Sequence, residues 1–395
     1  MKTAKFKDSP LGPIPQDWEV KRLGDLFDFA AAGDLQDNCS SKMPTHENIY
    51  PIYSNTVPQK GLYGYTSRPR FKKGCMTITG RGTLGHAEYR DSDFDAIIRL
   101  IVMQPHKEVD ARFFAAYVNT YSPFPVSVSS IPQLTVPQVQ ETIAPCPPLP
   151  EQQRIAEALG GVDKLIESLD EQIEKKRLIA KGVAHDLLSA KKRLPGFKGA
   201  WEMLKLGDMG IWLKGQALSK SDVTSTGTYE CIHYGELFTK YGPVIQTVVS
   251  RTDKEPTISS VSGDILFPSS DVTPEGLGRC SAIMADGVIL GGDMIILRLG
   301  VTCSPQLVSH VINQNRRMII AKVTGITVRH ITSKALSNIE IPLPPTFAEQ
   351  QAIADLLSEQ DAAIAALEEK REKYMRIKEG MMRDLLTGKV RMKGE

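Results

Sequence analysis

The chain has 395 residues, more than one ordinary hydrophobic core serves, since single cores stop growing at about 250–300 residues. Its 41% hydrophobic, 24% charged and 7% aromatic residues exclude disorder as the dominant state. A net charge of +2 excludes a uniformly basic coat protein, although such an average hides local basic faces.

In chain order, Met1–Asp8 is charged and has no apolar run behind it, which is not the pattern of a secretory leader. Trp18-Glu-Val-Lys-Arg-Leu-Gly-Asp25 then opens a mixed α/β segment. Its β-rich runs are Asn48–Ser54, Cys75–Thr79 and Ala96–Met103, and Ala111–Asn119 suits a short helix. From Asn48 to Ala87 there is no Asp or Glu, yet Lys60, Arg68, Arg70, Lys72, Lys73 and Arg81 lie there, interleaved with Tyr50, Tyr53, Tyr63, Tyr65 and Phe71. Uncompensated positive charge with aromatic residues points to polyanion contact, against the alternative of a solvated basic face. Within it, Thr79-Gly-Arg-Gly-Thr-Leu-Gly85 lacks the ending of a phosphate-binding P-loop. It reads either as a turn presenting Arg81 to guanine O6 and N7 or simply as a hairpin turn.

Pro147-Pro-Leu-Pro-Glu-Gln-Gln-Arg-Ile-Ala156 leads into a long helix. Ile155, Leu159, Val162, Ile166, Leu169 and Ile173 follow a 4-3-4-3-4 spacing that continues through Lys176, Ala180, Val183 and Leu187, the seam of a coiled coil. The spacing predicts a rod of about forty residues, roughly 60 Å, stopping near Leu194 before Pro195-Gly196.

The chain then repeats itself. Trp201-Glu-Met-Leu-Lys-Leu-Gly-Asp208 echoes the first opening at 201 − 18 = 183, and Pro344-Pro-Thr-Phe-Ala-Glu-Gln-Gln351 echoes the helix lead-in at 349 − 151 = 198. The second offset persists through Ile353, Leu357, Ile364 and Leu367 to Asp384-Leu-Leu386, with Gln360, Arg371 and Lys378 at seam positions. Between these frames the halves barely match. The second holds β-rich runs at Ile265–Pro268, Gly287–Leu290 and Met294–Leu299, a helix at Gln306–Asn315, and its own acid-free stretch, Met294–Ile339, with Arg298, Arg316, Arg317, Lys322, Arg329 and Lys334. Two matched helices predict an intramolecular antiparallel coiled coil.

The longest apolar runs, Ala96–Met103 and Val288–Leu299, are interrupted by Arg99 and by Gly291, Gly292 and Asp293, short of the ~18–20 residues of a membrane helix. The six cysteines form no C-x-x-C pair, which predicts reduced thiols in a cytoplasmic protein and no metal knuckle. His86, His233 and His330 stand alone and read as structural. Neither a Walker lysine nor a methyltransferase Asn/Asp-Pro-Pro-aromatic motif occurs.

Together the two Pro-Pro…Glu-Gln-Gln lead-ins, the helix-ending Asp186-Leu-Leu-Ser189 and Asp384-Leu-Leu-Thr387, and the Pro15–Gly24 opening resemble the specificity subunit of Type I restriction–modification systems, over the whole chain. The second lead-in departs by Phe347-Ala348 in place of Leu149-Pro150.

The resemblance implies a mixed α/β (α+β) fold with an internal pseudo-twofold repeat. Residues 1–146 and 195–341 are then target-recognition domains, and 147–194 and 342–395 are repeated long helices forming an antiparallel coiled coil. It implies a non-catalytic reader of a bipartite target in double-stranded DNA, one half-site per domain, with the helices setting the unread gap. It also implies two methyltransferase subunits as partners and, in complete systems, two restriction subunits. No cofactor is expected on this chain; S-adenosylmethionine, ATP and Mg²⁺ belong to the partners. Charge and turn chemistry nominate Lys60, Tyr63, Arg68, Arg70, Lys72, Lys73, Arg81, Arg316, Arg317, Lys322 and Arg329 as DNA contacts. The readings that compete with this are a coiled-coil scaffold with two unlike ligand-binding domains and no DNA, and a complete enzyme that both modifies and cuts.

Overall fold

The computed structural model describes residues 5–35, 40–121, 124 and 132–392. Contacts divide the chain into two compact units, Met1–Glu171 with Glu369–Glu395, and Gln172–Glu368. The first unit is therefore assembled from two separated stretches of sequence, the second from one continuous run.

In the first unit the frame residues do the clamping. Trp18 is fully buried, and Glu19–Arg22 after it pairs antiparallel with Ile143–Cys146, bringing the two ends of the variable segment together. Between them the described residues form two four-stranded sheets. One runs Phe27–Ala31, Ile101–Pro105, Met76–Ile78, Ala87–Tyr89 in spatial order; the other runs Asp95–Ala96, Tyr50–Tyr53, Leu62–Thr66, Ser40–Ser41. Helix α1 (Ala111–Tyr121) buries Phe113 and Phe114 in the same core as Trp18, with Phe114 edge-on to Phe27 at 5.5 Å. Helix α2 (Leu149–Leu188) follows and spans 40 residues.

The second unit repeats the central strand order with different residues, in a five-stranded and a three-stranded sheet. Glu202–Lys205 pairs with Glu340–Leu343 as the frame, and the main sheet runs Gly210–Lys214, Met294–Leu299, Ile265–Pro268, Ser281–Ile283, Val244–Ile245. Helix α3 (Pro305–Gln314) takes the place of α1, and helix α4 (Phe347–Leu385) that of α2. In each unit a parallel strand pair leads by a short turn into the central antiparallel strand: Asp95–Ala96 beside Tyr50–Tyr53, and Ile289–Gly291 beside Tyr229–His233. Segments with little sequence in common thus share an order of strands.

Antiparallel pairing of α2 and α4 is visible inside each unit. In the first, Asp163 meets Lys378 at 2.5 Å and Asp170 meets Arg371, so seven residues forward on one helix is seven backward on the other. In the second, Arg177 pairs with Glu368 at 2.7 Å. Along the predicted seam Ile155, Leu159, Leu169, Ile173, Ile353 and Leu357 are buried, Val162, Ile166, Ile364 and Leu367 are half-buried, and Lys176 is exposed. The polar seam residues Arg371 and Lys378 are the ones that make the ion pairs.

α2 stops at Leu188, six residues before the expected end. Ala190 turns left-handed (φ 55°), its N–H bonding to the Leu187 carbonyl and that of Lys192 to Asp186, a helix-terminating loop that needs no proline. Gly388 (φ 70°) does the same after α4, with Val390 bonding back to Asp384, which explains the duplicated Asp-Leu-Leu. α4 begins at Phe347, in register with Leu149, so the altered lead-in leaves the helix start in place; Thr346 accepts the Glu349 N–H at 3.3 Å.

The repeated Glu-Gln-Gln also has a structural cause. Gln152 accepts the Asp110 N–H at 2.8 Å and donates to the Pro147 carbonyl, and Gln350 accepts the Ser304 N–H at 2.9 Å and donates to Pro344. Each glutamate takes an arginine from beyond the end of the other long helix. Arg391 holds Glu151 through Nε (2.8 Å) and Nη2 (2.7 Å), and Arg193 holds Glu349 through two bonds of 2.6 Å.

Candidate nucleic-acid interface

The long acid-free stretch of the first unit is folded so that acids reach it from elsewhere. Arg70 donates to the buried carboxylate of Asp95 at 2.5 Å and to the Ala96 carbonyl at 2.6 Å. Asp93 accepts from Lys72 Nζ at 2.9 Å and from the Lys73 N–H at 3.0 Å, and these bonds hold its carboxyl below the usual range while raising Lys72. Lys60 lies 3.6 Å from Glu167. It occupies a left-handed turn with Gln59, at φ 54° and 52°. Tyr63 is exposed beneath the Lys42 ammonium, 3.6 Å from its ring centroid. Of the nominated cations, Arg68 and Arg81, and the Lys73 ammonium, remain exposed with no side-chain partner among the described residues.

Thr79–Gly85 is the loop of a hairpin between Met76–Ile78 and Ala87–Tyr89, and Arg81 stands exposed on it. Asn55 secures it: its Oδ1 accepts the Gly80 N–H at 2.7 Å while its Nδ2 donates to the Ile98 carbonyl. The run Ala96–Met103, read as one strand, is broken here. Ile98 and Arg99 are both left-handed, at φ 57° and 56°, and both are exposed.

In the second unit Arg316 donates to the carbonyls of Gly278 (2.9 Å) and Glu275 (3.0 Å) at the carbonyl end of the short helix Pro274–Leu277, where a cation is favoured. Arg329 donates to the Gly325 carbonyl, closing a loop whose Ile326 is 89% exposed. Arg317 and Lys322 are exposed and have no side-chain partner among the described residues. Arg298, by contrast, is engaged by Asp264 through two bonds of 3.0 and 2.8 Å.

Arg90 was not singled out by sequence, because its neighbours Glu88 and Asp91 end the acid-free run. It is buried, stacks its guanidinium 3.6 Å over Tyr53, and donates to Thr77 Oγ1 and the Lys60 carbonyl, tying both sheets to the Lys60 turn. Burial pulls its pKa down. The buried Asp95 and the bridging Asn55 leave no signal in the sequence, because their partners are distant in it.

Cys75, Cys146, Cys231, Cys280 and Cys303 are free and buried; Cys39 lies outside the described residues. Burial raises the thiols, Cys280 to about 12. His86 bonds to Glu88 at 2.9 Å and His233 accepts the Gly235 N–H at 3.1 Å. No group of three or more His, Cys, Asp or Glu side chains gathers among the described residues, and no helix is long and apolar enough to cross a membrane.

Comparison with known proteins places this arrangement. The family model described as the Type I restriction modification DNA specificity domain matches twice, at residues 15–176 and 198–374. The type I restriction enzyme MjaVIII specificity subunit of Methanocaldococcus jannaschii is 22% identical over 99% of this chain and 97% of its own length. The crystal structure of a Type-I restriction-modification system S subunit from M. genitalium superposes with a TM-score of 0.68 at 16% identity, over 97% of this chain and 98% of that one. A second solved structure, described by its complex assembly and conformational transition in the type I system, gives a TM-score of 0.50 at 18% identity, over 95% and 99% of the two chains.

Proposed function

Because the chain belongs to the Type I restriction modification DNA specificity family, matched across both repeats, we propose that each of its two units reads one half of a split duplex target. The observation that carries this is the pairing of one topology with two unlike surfaces. The frame strands, the Glu-Gln-Gln staples and the long helices repeat, while the exposed loops between them differ: Arg81 with Ile98–Arg99 in one unit, Arg317 and Lys322 with the Ile326 loop in the other. Same frame with different contents is what recognition of two different half-sites requires, since phosphate contacts position a protein and base contacts specify.

The paired helices act in this reading as the ruler for the unread gap and as the platform for methyltransferase and restriction subunits. The chain is non-catalytic; S-adenosylmethionine, ATP and Mg²⁺ are bound and used by those partners. Of the cations nominated from sequence, Arg81 is the strongest base contact, whereas Lys72, exposed and paired with Asp93, serves phosphate.

The test is co-expression with its cognate methyltransferase and a genome-wide reading of adenine methylation, the methyltransferase alone serving as control. A split motif with a fixed gap, present only with this chain, is the expected result. Four residues inserted into each helix, about one turn or ~6 Å, lengthen the gap and leave both half-sites unchanged. A complex whose duplex binding ignores salt concentration refutes the reading and returns the chain to the class of protein scaffolds.

A further inference from the structure

We propose that the Ile98–Arg99 turn, with Arg81 beside it, is the base-reading element of the first unit; the assignment rests on the DNA-recognition reading above. Two consecutive non-glycine residues in the left-handed region are unusual, and a β-branched one there is a true outlier, because Cβ crowds the backbone. Packing does not explain it, since Ile98 is 48% exposed.

The turn is held by its surroundings. The Ile98 N–H donates to the Gly33 carbonyl and that of Arg99 to Ala32, each at 3.0 Å, and Asn55 holds the Ile98 carbonyl from the other side. Arg70 supports the strand before it through Asp95 and the Ala96 carbonyl. Since Asn55 also fixes Gly80, one side chain sets the Arg81 hairpin and this turn against each other.

The second unit supplies an internal control. Its Gly215 N–H donates to the Met294 carbonyl at 3.0 Å, as Ala32 does to Leu100 at 2.9 Å. With 294 − 100 = 194, Ile98 and Arg99 correspond to Gly292 and Asp293. Gly292 is left-handed too (φ 76°), but it is glycine, and a Cβ there would lie 2.7 Å from Tyr234. Asp293 accepts from Ser270 Oγ at 2.7 Å. The same turn is therefore glycine-built and acidic in one unit, and strained and cationic in the other. A turn needed only to join two strands has no use for isoleucine here.

Strain of this kind is retained where the surroundings enforce it and a ligand makes use of it. The exposed chemistry is one aliphatic side chain, Ile98, and two arginines, Arg99 and Arg81, whose guanidinium groups have no hydrogen-bond or ion-pair partner among the described residues. That set matches the major-groove edge of a duplex, where guanine offers O6 and N7 to an arginine fork and thymine offers its methyl to an aliphatic side chain.

The experiment uses the full chain in complex with its methyltransferase, comparing wild type, I98G and R99A by methylation motif and by hydrogen exchange of the first unit. Glycine relieves the strain, so I98G keeps or strengthens protection of residues 95–105. It nevertheless relaxes one position of one half-site, while the other half-site stays as in wild type. R99A relaxes a neighbouring position of the same half-site, discrimination there falling roughly 5- to 150-fold. Unchanged motifs in both variants overturn the proposal, as does equal relaxation of both half-sites. A wild-type complex that methylates no split motif overturns the DNA-recognition reading itself, and this assignment with it.

Discussion

Replacing Arg391 by alanine tests how the first unit is closed. Arg391 makes four hydrogen bonds of 2.7–2.8 Å, two to Glu151 and two to Asp17. The Glu151 side chain is only 3% exposed. In the variant it keeps the Trp18 indole N–H (3.0 Å) and the Met392 N–H (3.1 Å) but loses its counter-charge. Removing one partner of a buried ion pair costs about 3–5 kcal/mol, so hydrogen exchange through opening of this unit accelerates by roughly 10²–10³-fold or more. Exchange in Gln172–Glu368 stays as it was, because Arg193 and Glu349 close that unit separately. The double variant R391M/E151Q recovers much of the loss, since no bare charge remains buried.

Acid dependence gives a second reading of the same pair. Burial pushes the Glu151 carboxyl up, yet the bonds from Arg391 and Trp18 outweigh it and hold the pKa below the ordinary glutamate value of 4.5. A carboxyl depressed on folding stabilises the native state above its unfolded pKa and loses that contribution as pH falls through the folded one. Without Arg391, burial acts with less opposition, and lowering the pH weakens the first unit less than in wild type. Equal loosening of both units in R391A, or a double variant no more stable than the single one, refutes a closing role for the Arg391–Glu151 pair.

His310 carries the acid sensitivity of the second unit. It is buried with its Nε2 unpaired among the described residues, and burial lowers its pKa to about 4 from an unfolded value of 6.5. Its contribution is complete above pH 6.5 and is lost as pH falls toward 4, about 3 kcal/mol in all; H310L, followed by denaturation at pH 7 and pH 4.5, removes most of that difference. Ala190 is left-handed where its counterpart is Gly388. A190G therefore raises the stability of the second unit by up to about 1 kcal/mol, while G388A lowers that of the first, because a Cβ there would lie 2.4 Å from Pro15. Both are read as shifts in urea midpoint.

What the sequence revealed and what it hid divide along the range of the interactions. The heptad spacing from Ile155 to Ile173 is a local signal, and α2 and α4 lie where it puts them. Met294–Leu299 is a strand with the predicted bounds, because a buried run of β-formers needs no distant information. The helix ends before Pro195-Gly196, the louder signal, because Ala190 is an alanine forced into a glycine's conformation by the bonds around it. Ala96–Met103 has the composition of one strand for a similar reason: nothing in Ile98-Arg99 announces a turn that Gly33, Ala32 and Asn55 impose. The acid-free stretch misled most. Charge counted along the chain left Arg70 and Lys72 bare, whereas folding carries Asp95 and Asp93 to them. The shared topology of the two variable segments was invisible, because strand order is set by pairings that leave almost no trace in residue identity.

The two-part first unit has a consequence for biosynthesis. Glu151 leaves the ribosome 240 residues ahead of the arginine that neutralises it, a wait of roughly 12–50 s at ~5–20 residues per second. Through that interval Ile155 and Leu159 lack the Leu385–Leu386 side of their core. In the second unit Arg193 waits a shorter 156 residues for Glu349, and that unit is complete at Glu368. Translation therefore completes the later half before the earlier one, the reverse of the usual N-terminal-first order. A nascent chain interrupted in its last stretch then carries one finished body and one open one, which is the form that chaperones hold and proteases remove.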